Sequence, residues 1–335
     1  MTVIVGLLRL GFGAAALGLG GAAIAAWFGF AVPFFDLFNH FQLILIAASV
    51  VALIGVLVLF GGSFWSWPLS GLLVLGLAAS AVTVGPETMA AFAPRPPLPT
   101  DGRQVITLMT HNLFGLNYDM PRMARYIASV KPDILAFQEH FPEQREGLDP
   151  LLRATYPYSV YCVGGKRANI AIFSKLPFEQ VQDGDCTRDP LAAGRTAHIL
   201  VRFTLSSGAQ FELLTTHFDW PFPIERQAKQ RQTIIDAVRG VTVPLIVVGD
   251  FNSTPWSYAQ RNFATDAGLT RQTHGILTWP VWLWVFGWRA TWPFLPLDQV
   301  MTKGDIAIHD LQAGQPTGSD HLPIIVKFSV GPPAG

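Results

Sequence analysis

Charged residues are scarce in this sequence, and the shortage is confined to its first 100 residues. Only 14% of the 335 residues are charged, against roughly 25% in ordinary soluble domains. Of the 23 basic and 23 acidic residues, two of each lie in residues 1–100, so 21 of each remain for residues 101–335. The second part therefore has the composition of a soluble domain without net charge. A strongly basic nucleic-acid-binding domain should look different, although a local basic patch can hide in a neutral total.

The uncharged stretches of the first part are long enough to cross a membrane. No charged residue occurs from Leu10 to Phe35 or from Leu37 to Pro86. A transmembrane helix needs about 20 apolar residues, and three apolar runs approach or reach that length, near residues 10–30, 43–60 and 67–84. Because two further runs follow the first at once, a membrane anchor fits better than a cleaved signal peptide. A buried, soluble helical domain is the alternative reading. We predict that residues 1–92 are an anchor with three transmembrane helices.

The basic residues that border these runs predict an orientation. Arg9 precedes the first run, and the loops between the runs carry no Lys or Arg. The positive-inside rule then favours a cytoplasmic N-terminus, and three spans would place residues 86–335 on the other side. Arg95 and Arg103 argue faintly against this orientation. We expect a multi-pass protein of the cell membrane with residues 86–335 on the extracytoplasmic side.

Cysteine is also nearly absent, with Cys162 and Cys186 as the two in the chain. On the oxidising side of a membrane these two could form a disulfide. Two buried thiols are the equal alternative. Their spacing does not match a zinc ligand set.

A proline-rich stretch separates the apolar part from the rest. Residues 93–103 read "APRPPLPTDGR", a composition that favours an extended and stiff linker. From residue 104 to 330, short apolar runs that predict strands alternate with a few helical patterns. Helices are predicted over "DMPRMARYIASVKP", capped by Asp119, and over "ERQAKQRQTIIDAVRG", closed by Gly240. Many strands with few helices indicate a mixed α/β sandwich.

Polar residues capable of metal or phosphate chemistry stand at the ends of several predicted strands. Strand ends are where rigid scaffolds present functional loops. One such residue would be ordinary surface polarity, but six sites in one domain, two of them with histidines, are hard to dismiss. These residues are Asn112, Glu139, His217, Asp219, Asp250, Asn252, Asp298, Asp320 and His321.

This set has the chemistry for metal-assisted attack of water on a phosphoester. Glu139 and Asp320 are hard oxygen ligands suited to Mg²⁺, with Asn112 as a neutral helper. His321 could take a proton from water while a nearby carboxylate orients its ring.

A second group of these residues suits the phosphate itself. Asp250 and Asn252 lie two apart on the tight "GDFN" turn, so both side chains can face one pocket, where Asn252 can donate to a phosphate oxygen. His217 could supply a second donor or a proton for the leaving group.

At these residues the chain resembles the endonuclease/exonuclease/phosphatase superfamily. The motifs "THN", "QE", "TTHFD", "VVGDFNSTP", "LDQV" and "SDHLPI" occur in the family's order over about residues 104–330. Members include deoxyribonuclease-like enzymes, abasic-site endonucleases, inositol-polyphosphate phosphatases and neutral sphingomyelinases. The resemblance implies an α/β fold, a two-sheet β-sandwich flanked by helices in four layers, here preceded by three transmembrane helices.

The resemblance also implies a role for each matching residue. Glu139 would be the main ligand of a Mg²⁺ or Mn²⁺ ion, assisted by Asn112 and Asp320. His321 would be the general base or would stabilise the phosphate, oriented by Asp298. The remaining members of the active site would be His217, as its second histidine, and Asp250 and Asn252, which would handle the nucleophile or leaving group and bind the scissile phosphate.

A few positions fit the pattern less well. Gln299 stands where many relatives carry His or Tyr, which suggests a local change in substrate contact. Asp219 either supports His217 or caps a turn. Asn169 could reach the phosphate, as could Arg195, for which simple surface placement is the main alternative.

The stretch from Thr278 to Pro296 holds five of the ten tryptophans. Such a density suggests a surface that rests on a membrane beside the active site, which would favour a lipid phosphodiester. Packing against the sandwich or the anchor, and stacking on nucleic-acid bases, are the alternatives.

We therefore predict a membrane-anchored, Mg²⁺-dependent phosphoesterase that acts on nucleic acid or on a phospholipid-like substrate. The lipid bilayer and the phosphoester are its expected partners, and no protein partner is inferred. The rival hypothesis is a binding module that keeps the fold without catalysis, and the intact set of polar residues counts against it.

Overall fold

The computed structural model describes residues 2–181, 196–285, 288–290 and 292–331. Arg195 and Cys186, which figured in the sequence predictions, lie outside the described residues. The chain divides into two compact units. One comprises residues 1–92 together with 254–262, and the other comprises residues 93–253 and 263–335.

The first unit is built on three long apolar helices: α1 (Thr2–Trp27), α3 (Gln42–Phe60) and α4 (Ser66–Ala91). A four-residue helix, α2 (Pro33–Asp36), and two short 3₁₀ turns connect α1 to α3. Three stretches, residues 3–30, 33–60 and 66–91, are long and apolar enough to cross a membrane. Their mutual contacts use small side chains, among them Ala16 and Ala52, which lie in the unit's buried cluster. Small residues permit the close helix approach that is typical of helix packing in lipid.

Two six-stranded sheets form the second unit. The first sheet has the order β13-β14-β1-β2-β4-β3, and the second has the order β5-β6-β7-β8-β12-β9. The strands of the first are β1 (Val105–Asn112), β2 (Ile134–Gln138), β3 (Tyr158–Cys162), β4 (Ile170–Ser174), β13 (Ile306–Ala313) and β14 (Ile324–Val330). Those of the second are β5 (Phe178–Gln180), β6 (His198–Thr204), β7 (Gln210–His217), β8 (Leu245–Asp250), β9 (Thr270–Arg271) and β12 (Asp298–Lys303). A separate hairpin pairs β10 (Leu283–Val285) with β11 (Trp288–Ala290).

The sheets face each other across an apolar core, and helices cover their outer faces. Side chains from both sheets, such as Leu108, Ile172 and Val248, form one continuous buried cluster. Helices α5 (Met120–Val130) and α6 (Pro142–Leu152) pack on the first sheet. Helix α7 (Ile224–Arg239) packs on the second, together with residues from the end of α8 (Tyr258–Asp266). The four-layer sandwich expected from the sequence is therefore confirmed.

The predicted elements are present, and several others were missed for different reasons. Helix α5 begins after Asp119, whose side chain accepts a hydrogen bond from the Arg122 backbone N–H at 3.1 Å, and α7 ends at Gly240. The Asp119 cap and the end of α7 at Gly240 are confirmed, although Gly240 has φ −84° and not the left-handed conformation that is typical of a glycine cap. Helix α6 was not predicted because prolines stand at its first position and within it, at Pro150. The predictions also omitted helix α8 and the strands β5, β9 and β13.

Candidate active site

Strand register brings the predicted residues to one end of the sandwich. Strands β1 and β2 are parallel, with Asn112 opposite Gln138, and β7 and β8 are parallel, with His217 opposite Asp250. The carboxyl ends of each parallel pair therefore lie at the same edge. Strand β12 is antiparallel to β8 and pairs its first residue, Asp298, with Asp250. Strand β14 is antiparallel to β1, so the loop that precedes it reaches that edge as well.

Asp250 lies at the centre of the cluster. Its carboxylate is 1% exposed and its Oδ2 accepts from Asn112 Nδ2 at 2.9 Å. The same oxygen lies 3.4 Å from Nε2 of His217 and 3.7 Å from Nε2 of His321. Burial alone would raise the pKa of Asp250, but the two histidines outweigh it and hold the pKa well below its usual range. Asp250 is therefore an anion that faces both histidines.

His321 and Asp298 form a close buried pair. His321 Nδ1 lies 2.7 Å from Asp298 Oδ2, and both side chains are nearly inaccessible. Burial would lower the pKa of His321, but the carboxylates of Asp298 and Asp250 raise it to about 10. Burial raises the pKa of Asp298, and the bond to His321 opposes that rise. Nδ1 is thus committed to Asp298, and Nε2 faces the other carboxylates.

Glu139 and Asn112 are joined across the first sheet. Asn112 Nδ2 donates to Glu139 Oε1 at 3.3 Å, and the Gly115 backbone N–H donates to Glu139 Oε2 at 2.8 Å. Glu139 Oε1 also lies 3.9 Å from Nε2 of His217. These contacts place Glu139 beside the Asp250 cluster.

Asp320 has an acceptor atom that no described residue satisfies. Its Oδ2 accepts from Trp279 Nε1 at 3.1 Å, whereas its buried Oδ1 has no hydrogen-bond partner among the described residues. Burial raises the pKa of Asp320, and the neighbouring carboxylates of Glu139 and Asp250 raise it further. Oδ1 lies 4.0 Å from Nε2 of His321. The carboxylates of Glu139, Asp250 and Asp320 thus lie near one another, and among their oxygens Asp320 Oδ1 lacks a donor among the described residues.

The turn that carries Asn252 is held in an unusual backbone conformation. Asn252 has φ 46° and Glu139 has φ 54°, values in the left-handed region that non-glycine residues seldom adopt. The Asn252 backbone N–H donates to Asp250 Oδ1 at 2.8 Å, and its Nδ2 donates to the Phe218 carbonyl at 2.9 Å. Asn252 Nδ2 also lies 3.3 Å from Nε2 of His217. Strained non-glycine positions of this kind cluster at functional sites.

Gly249 makes the close pairing of β7 and β8 possible just before Asp250. It has φ 144°, and a Cβ at this position would overlap the backbone carbonyl of Thr216 on the neighbouring strand. The register that sets His217 against Asp250 therefore requires glycine here.

All eight predicted active-site residues thus meet at one edge of the second unit, whereas three residues of uncertain role have other partners. Asp219 binds Arg167 Nε at 2.7 Å rather than His217. The side-chain oxygen of Asn169 accepts from Arg145 at 2.9 Å. Gln299 is buried and bonds to Thr273 and to the Pro296 carbonyl, so it is turned inward rather than toward a substrate. Arg195 lies outside the described residues.

Residues that the sequence predictions missed support the loop before β14. Ser319 Oγ donates to the Asn112 carbonyl at 2.7 Å and accepts from the His321 backbone N–H at 3.0 Å. The ring of Trp279 lies 6.4 Å from that of His321, centroid to centroid. His111 is fully buried beneath this loop with Nε2 at 2.8 Å from Thr317 Oγ1. Only the "SDH" motif hinted at Ser319, and no sequence signal indicated the other two contacts.

The second unit is a two-sheet sandwich with carboxylates and histidines clustered at its strand ends. This arrangement is typical of a class of proteins with a metal site. Asp250, Asp298 and His321 bring potential ligand atoms within 4.8 Å of one another. The model of the Endonuclease/Exonuclease/phosphatase family matches residues 109–321, well over half of the chain. The chain belongs to this family.

Individual relatives agree with this assignment. A structure of an endonuclease/exonuclease/phosphatase from Bacteroides vulgatus has a TM-score of 0.56 and 18% identity, covering 68% of this chain and all of that one. A beta toxin mutant from Staphylococcus aureus, solved with bound magnesium ions, has a TM-score of 0.52 and 16% identity over 68% of this chain and 100% of its own. At such identities these likenesses show the fold alone.

A curated relative matches part of the chain. A UPF0294 protein of Vibrio cholerae is 29% identical over 131 residues, which are 39% of this chain and 44% of that protein. The match therefore spans less than half of the relative's length.

Proposed function

We propose that the protein is a membrane-anchored, divalent-metal-dependent hydrolase of phosphodiester bonds in lipid-like substrates. One observation carries this proposal: two different groups lie beside the anionic carboxylate of Asp250. The first is Asp320, whose buried Oδ1 has no partner among the described residues, and the second is the bonded pair of His321 and Asp298. Such a site has one part suited to a cation and another suited to moving protons.

The residues present fit a divalent cation. Glu139 and Asp320 offer oxygen ligands, Asn112 supports Glu139, and the orphan Oδ1 of Asp320 lacks the partner that a cation would supply. In the grouping of Asp250, Asp298 and His321, His321 Nδ1 is already bonded to Asp298, and an imidazole is a poor ligand for Mg²⁺. We therefore assign Mg²⁺, with Mn²⁺ as an alternative, to Glu139, Asp320 and Asn112. When bound, the ion would polarise a phosphoryl oxygen and neutralise developing charge.

Asp250 and His321 divide the proton chemistry. The Asp250 carboxylate is the anionic acceptor that orients a water molecule and takes its proton as the water oxygen attacks phosphorus. His321, charged through its carboxylate neighbours, donates from Nε2 to a phosphoryl oxygen while Asp298 fixes its ring. This favours the phosphate-stabilising role of His321 over the role of general base.

His217 and Asn252 bind the other side of the phosphate. Both present a side-chain nitrogen beside Asp250 Oδ2, at 3.4 Å and 3.3 Å. Asn252 donates to a phosphate oxygen, and His217 delivers a proton to the leaving-group oxygen as the phosphorus–oxygen bond breaks.

Exposed apolar side chains around the site favour a lipid-like substrate. Leu116 and Tyr118 follow the Gly115 contact to Glu139 and are 69% and 67% exposed. Trp220, 46% exposed, contacts the ring of Trp279, whose Nε1 binds Asp320. Trp292 is 79% exposed. An apolar rim beside a phosphate site suits the interfacial region of a bilayer.

A nuclease is the second candidate function. Exposed aromatic side chains can also stack on nucleic-acid bases. The absence of net positive charge in residues 101–335 is unfavourable, because nucleic-acid affinity depends largely on neutralising backbone phosphates.

The test compares the two substrates with the full chain in detergent micelles. We expect Mg²⁺-dependent release of phosphorylated headgroup from mixed phospholipid vesicles and no nicking of plasmid DNA. His321→Ala should reduce turnover by about 10³-fold, while His309→Ala, on β13, should not. Plasmid nicking would favour the nuclease, and inactivity of a well-folded chain on both substrates would support a binding module without catalysis.

A further inference from the structure

Asp36 is an ionisable residue in an apolar setting. No other charged residue occurs between Leu10 and Pro86. Asp36 lies at the end of α2, within one of the stretches able to cross a membrane, and is 6% exposed. A carboxylate in such a place is costly unless specific donors satisfy it, and it usually has a function.

The donors to Asp36 come from the first turn of helix α8. Asp36 Oδ1 accepts from the Tyr258 backbone N–H at 2.8 Å, and Oδ2 accepts from the Ala259 backbone N–H at 2.9 Å. The first N–H groups of a helix have no partner within the helix, and the helix dipole favours an anion there. Asn39 Nδ2 adds a third donor to Oδ1 at 2.9 Å. Asp36 thus caps a helix that lies 222 residues away in sequence.

Further contacts within the same compact unit hold the residues just before α8. The Thr254 backbone N–H donates to His40 Nδ1 at 3.2 Å. The Tyr258 hydroxyl donates to the Trp27 carbonyl at 2.9 Å, and its ring lies 5.8 Å from that of Phe30. Residues 254–258 are therefore bonded by backbone and side chain to the segment 27–40.

Thr254 is the second residue after Asn252 in the chain. Two peptide units limit how far Asn252 can move once Thr254 is held, because successive Cα atoms are 3.8 Å apart. Asn252 also has φ 46°, so its turn depends on support from its surroundings.

We propose that Asp36 and His40 are positioning residues for the active-site turn. In this proposal, which rests on the proposed hydrolase function, the apolar segment is part of the catalytic machinery and not only a tether. It fixes residues 254–258, and these fix the turn that presents Asp250 and Asn252 to the phosphate.

A structural role confined to the apolar helices would have different consequences. Loss of Asp36 would then lower the yield or melting temperature, but each folded molecule would keep its turnover number. A positioning role predicts a lower kcat at nearly constant KM, because Asn252 would leave the geometry that the transition state needs.

The test uses the full chain in detergent micelles, with mixed phospholipid vesicles as the substrate, and compares Asp36→Asn with Asp266→Asn. Both remove one carboxylate charge, but Asp266 is exposed at the other end of α8. We expect Asp36→Asn to lower kcat about fivefold to tenfold, since an amide satisfies only one of the two helix donors, and to leave KM within about twofold. Hydrogen–deuterium exchange at residues 258 and 259 should accelerate in Asp36→Asn alone.

Three outcomes would overturn the proposal. The first is unchanged kcat with faster exchange, which would show that the contact exists but positions nothing. The second is unchanged exchange, which would remove the contact itself. The third is an equal fall in kcat in Asp266→Asn. If Asp36→Asn does not accumulate as folded protein, His40→Ala replaces it, with the same expected fall in kcat. Inactivity of the wild-type chain would instead count against the hydrolase function.

Discussion

Asp36 is a buried carboxylate and Asp320 is a partly buried one, with its side chain 20% exposed, and the two differ in how their oxygens are satisfied. Both oxygens of Asp36 accept backbone N–H groups from α8, and a side-chain amide adds a third bond. Asp320 has one donor, Trp279 Nε1, and its buried Oδ1 has no partner among the described residues. Like charges from Glu139 and Asp250 lie near it as well.

The difference separates a carboxylate that is held by the protein's own donors from one to which we assign a cation. A buried charge with a full set of donors contributes to stability through those bonds. A buried acceptor without a partner lowers stability by about 1–3 kcal/mol unless something outside the chain supplies the bond. The unsatisfied oxygen of Asp320 supports the proposed cation site because it lies beside the carboxylates of Glu139 and Asp250.

The largest expected effect comes from removing Glu139, the second carboxylate of the proposed cation site. Glu139→Gln should lower turnover by about 10²–10³-fold at fixed Mg²⁺, since an amide is a much weaker ligand for a hard cation. Activity should partly return at higher Mg²⁺. Glu143→Gln, a change at the exposed start of α6, is the matched control. An unchanged Mg²⁺ dependence in Glu139→Gln would remove this residue from the metal site.

The next effect concerns His111, a buried base whose Nε2 bonds to Thr317 and whose Nδ1 has no partner in the part of the chain that the structure describes. Burial lowers the pKa of His111 to about 3, and the charge of His321 adds to that shift. Between pH 6.5 and pH 3, His111 is therefore protonated in the unfolded chain and neutral in the folded chain. The free energy of unfolding should fall by up to about 1.4 kcal/mol for each pH unit below 6.5.

Replacing the imidazole of His111 should make the free energy of unfolding fall less steeply as the pH decreases below 6.5. Urea unfolding of His111→Asn at pH 7 and pH 5 should show a smaller loss of stability than the wild type shows. His309→Asn, in which the replaced ring is bonded to Pro96 and Ser329, serves as the control. Equal slopes for His111→Asn and the wild type would contradict the assigned protonation state.

The smallest expected effect is on the melting temperature of Asp320→Asn, which should lie above that of the wild type without Mg²⁺ and below it with Mg²⁺. The pKa of Asp320 is raised in the folded chain, so its ionised form is destabilising once the pH exceeds the unfolded value of about 3.9. Asp320→Asn keeps an acceptor for Trp279 and removes the repulsion. In EDTA at pH 7 it should melt about 2–4 °C above the wild type. In Mg²⁺ the order should reverse, because binding stabilises only the wild type. A variant less stable in both conditions would point to a purely structural Asp320.

The sequence predicted the chemical groups of the site better than it predicted the residues that hold those groups in place. Four site residues could be found because each follows a short apolar run that predicts a strand, and such a run is a local pattern in the sequence. These residues are Asn112, Glu139, His217 and Asp250. The Asp298–His321 bond followed from family resemblance alone. Asp36 could be recognised as an isolated charge, but its partners at Tyr258 and Ala259 lie 222 and 223 residues away, and no periodicity encodes such a contact.

Other supports depend on packing that a linear pattern does not carry. The inward turn of Gln299 depends on Thr273, a buried residue in a loop without regular structure. Asp219 was predicted to serve His217 or a turn, whereas it binds Arg167 from a distant loop. Strand β13 has the alternating pattern of "IAIHDLQA", a signal that was present and not used.

The most direct test of the difference between the two carboxylates is calorimetric titration of Mg²⁺ into the full chain in micelles. The wild type and Asp36→Asn should bind Mg²⁺ alike, whereas Asp320→Asn should bind it at least about tenfold more weakly. Unchanged Mg²⁺ affinity in Asp320→Asn, or no measurable binding by the wild type, would contradict the assignment of the cation site.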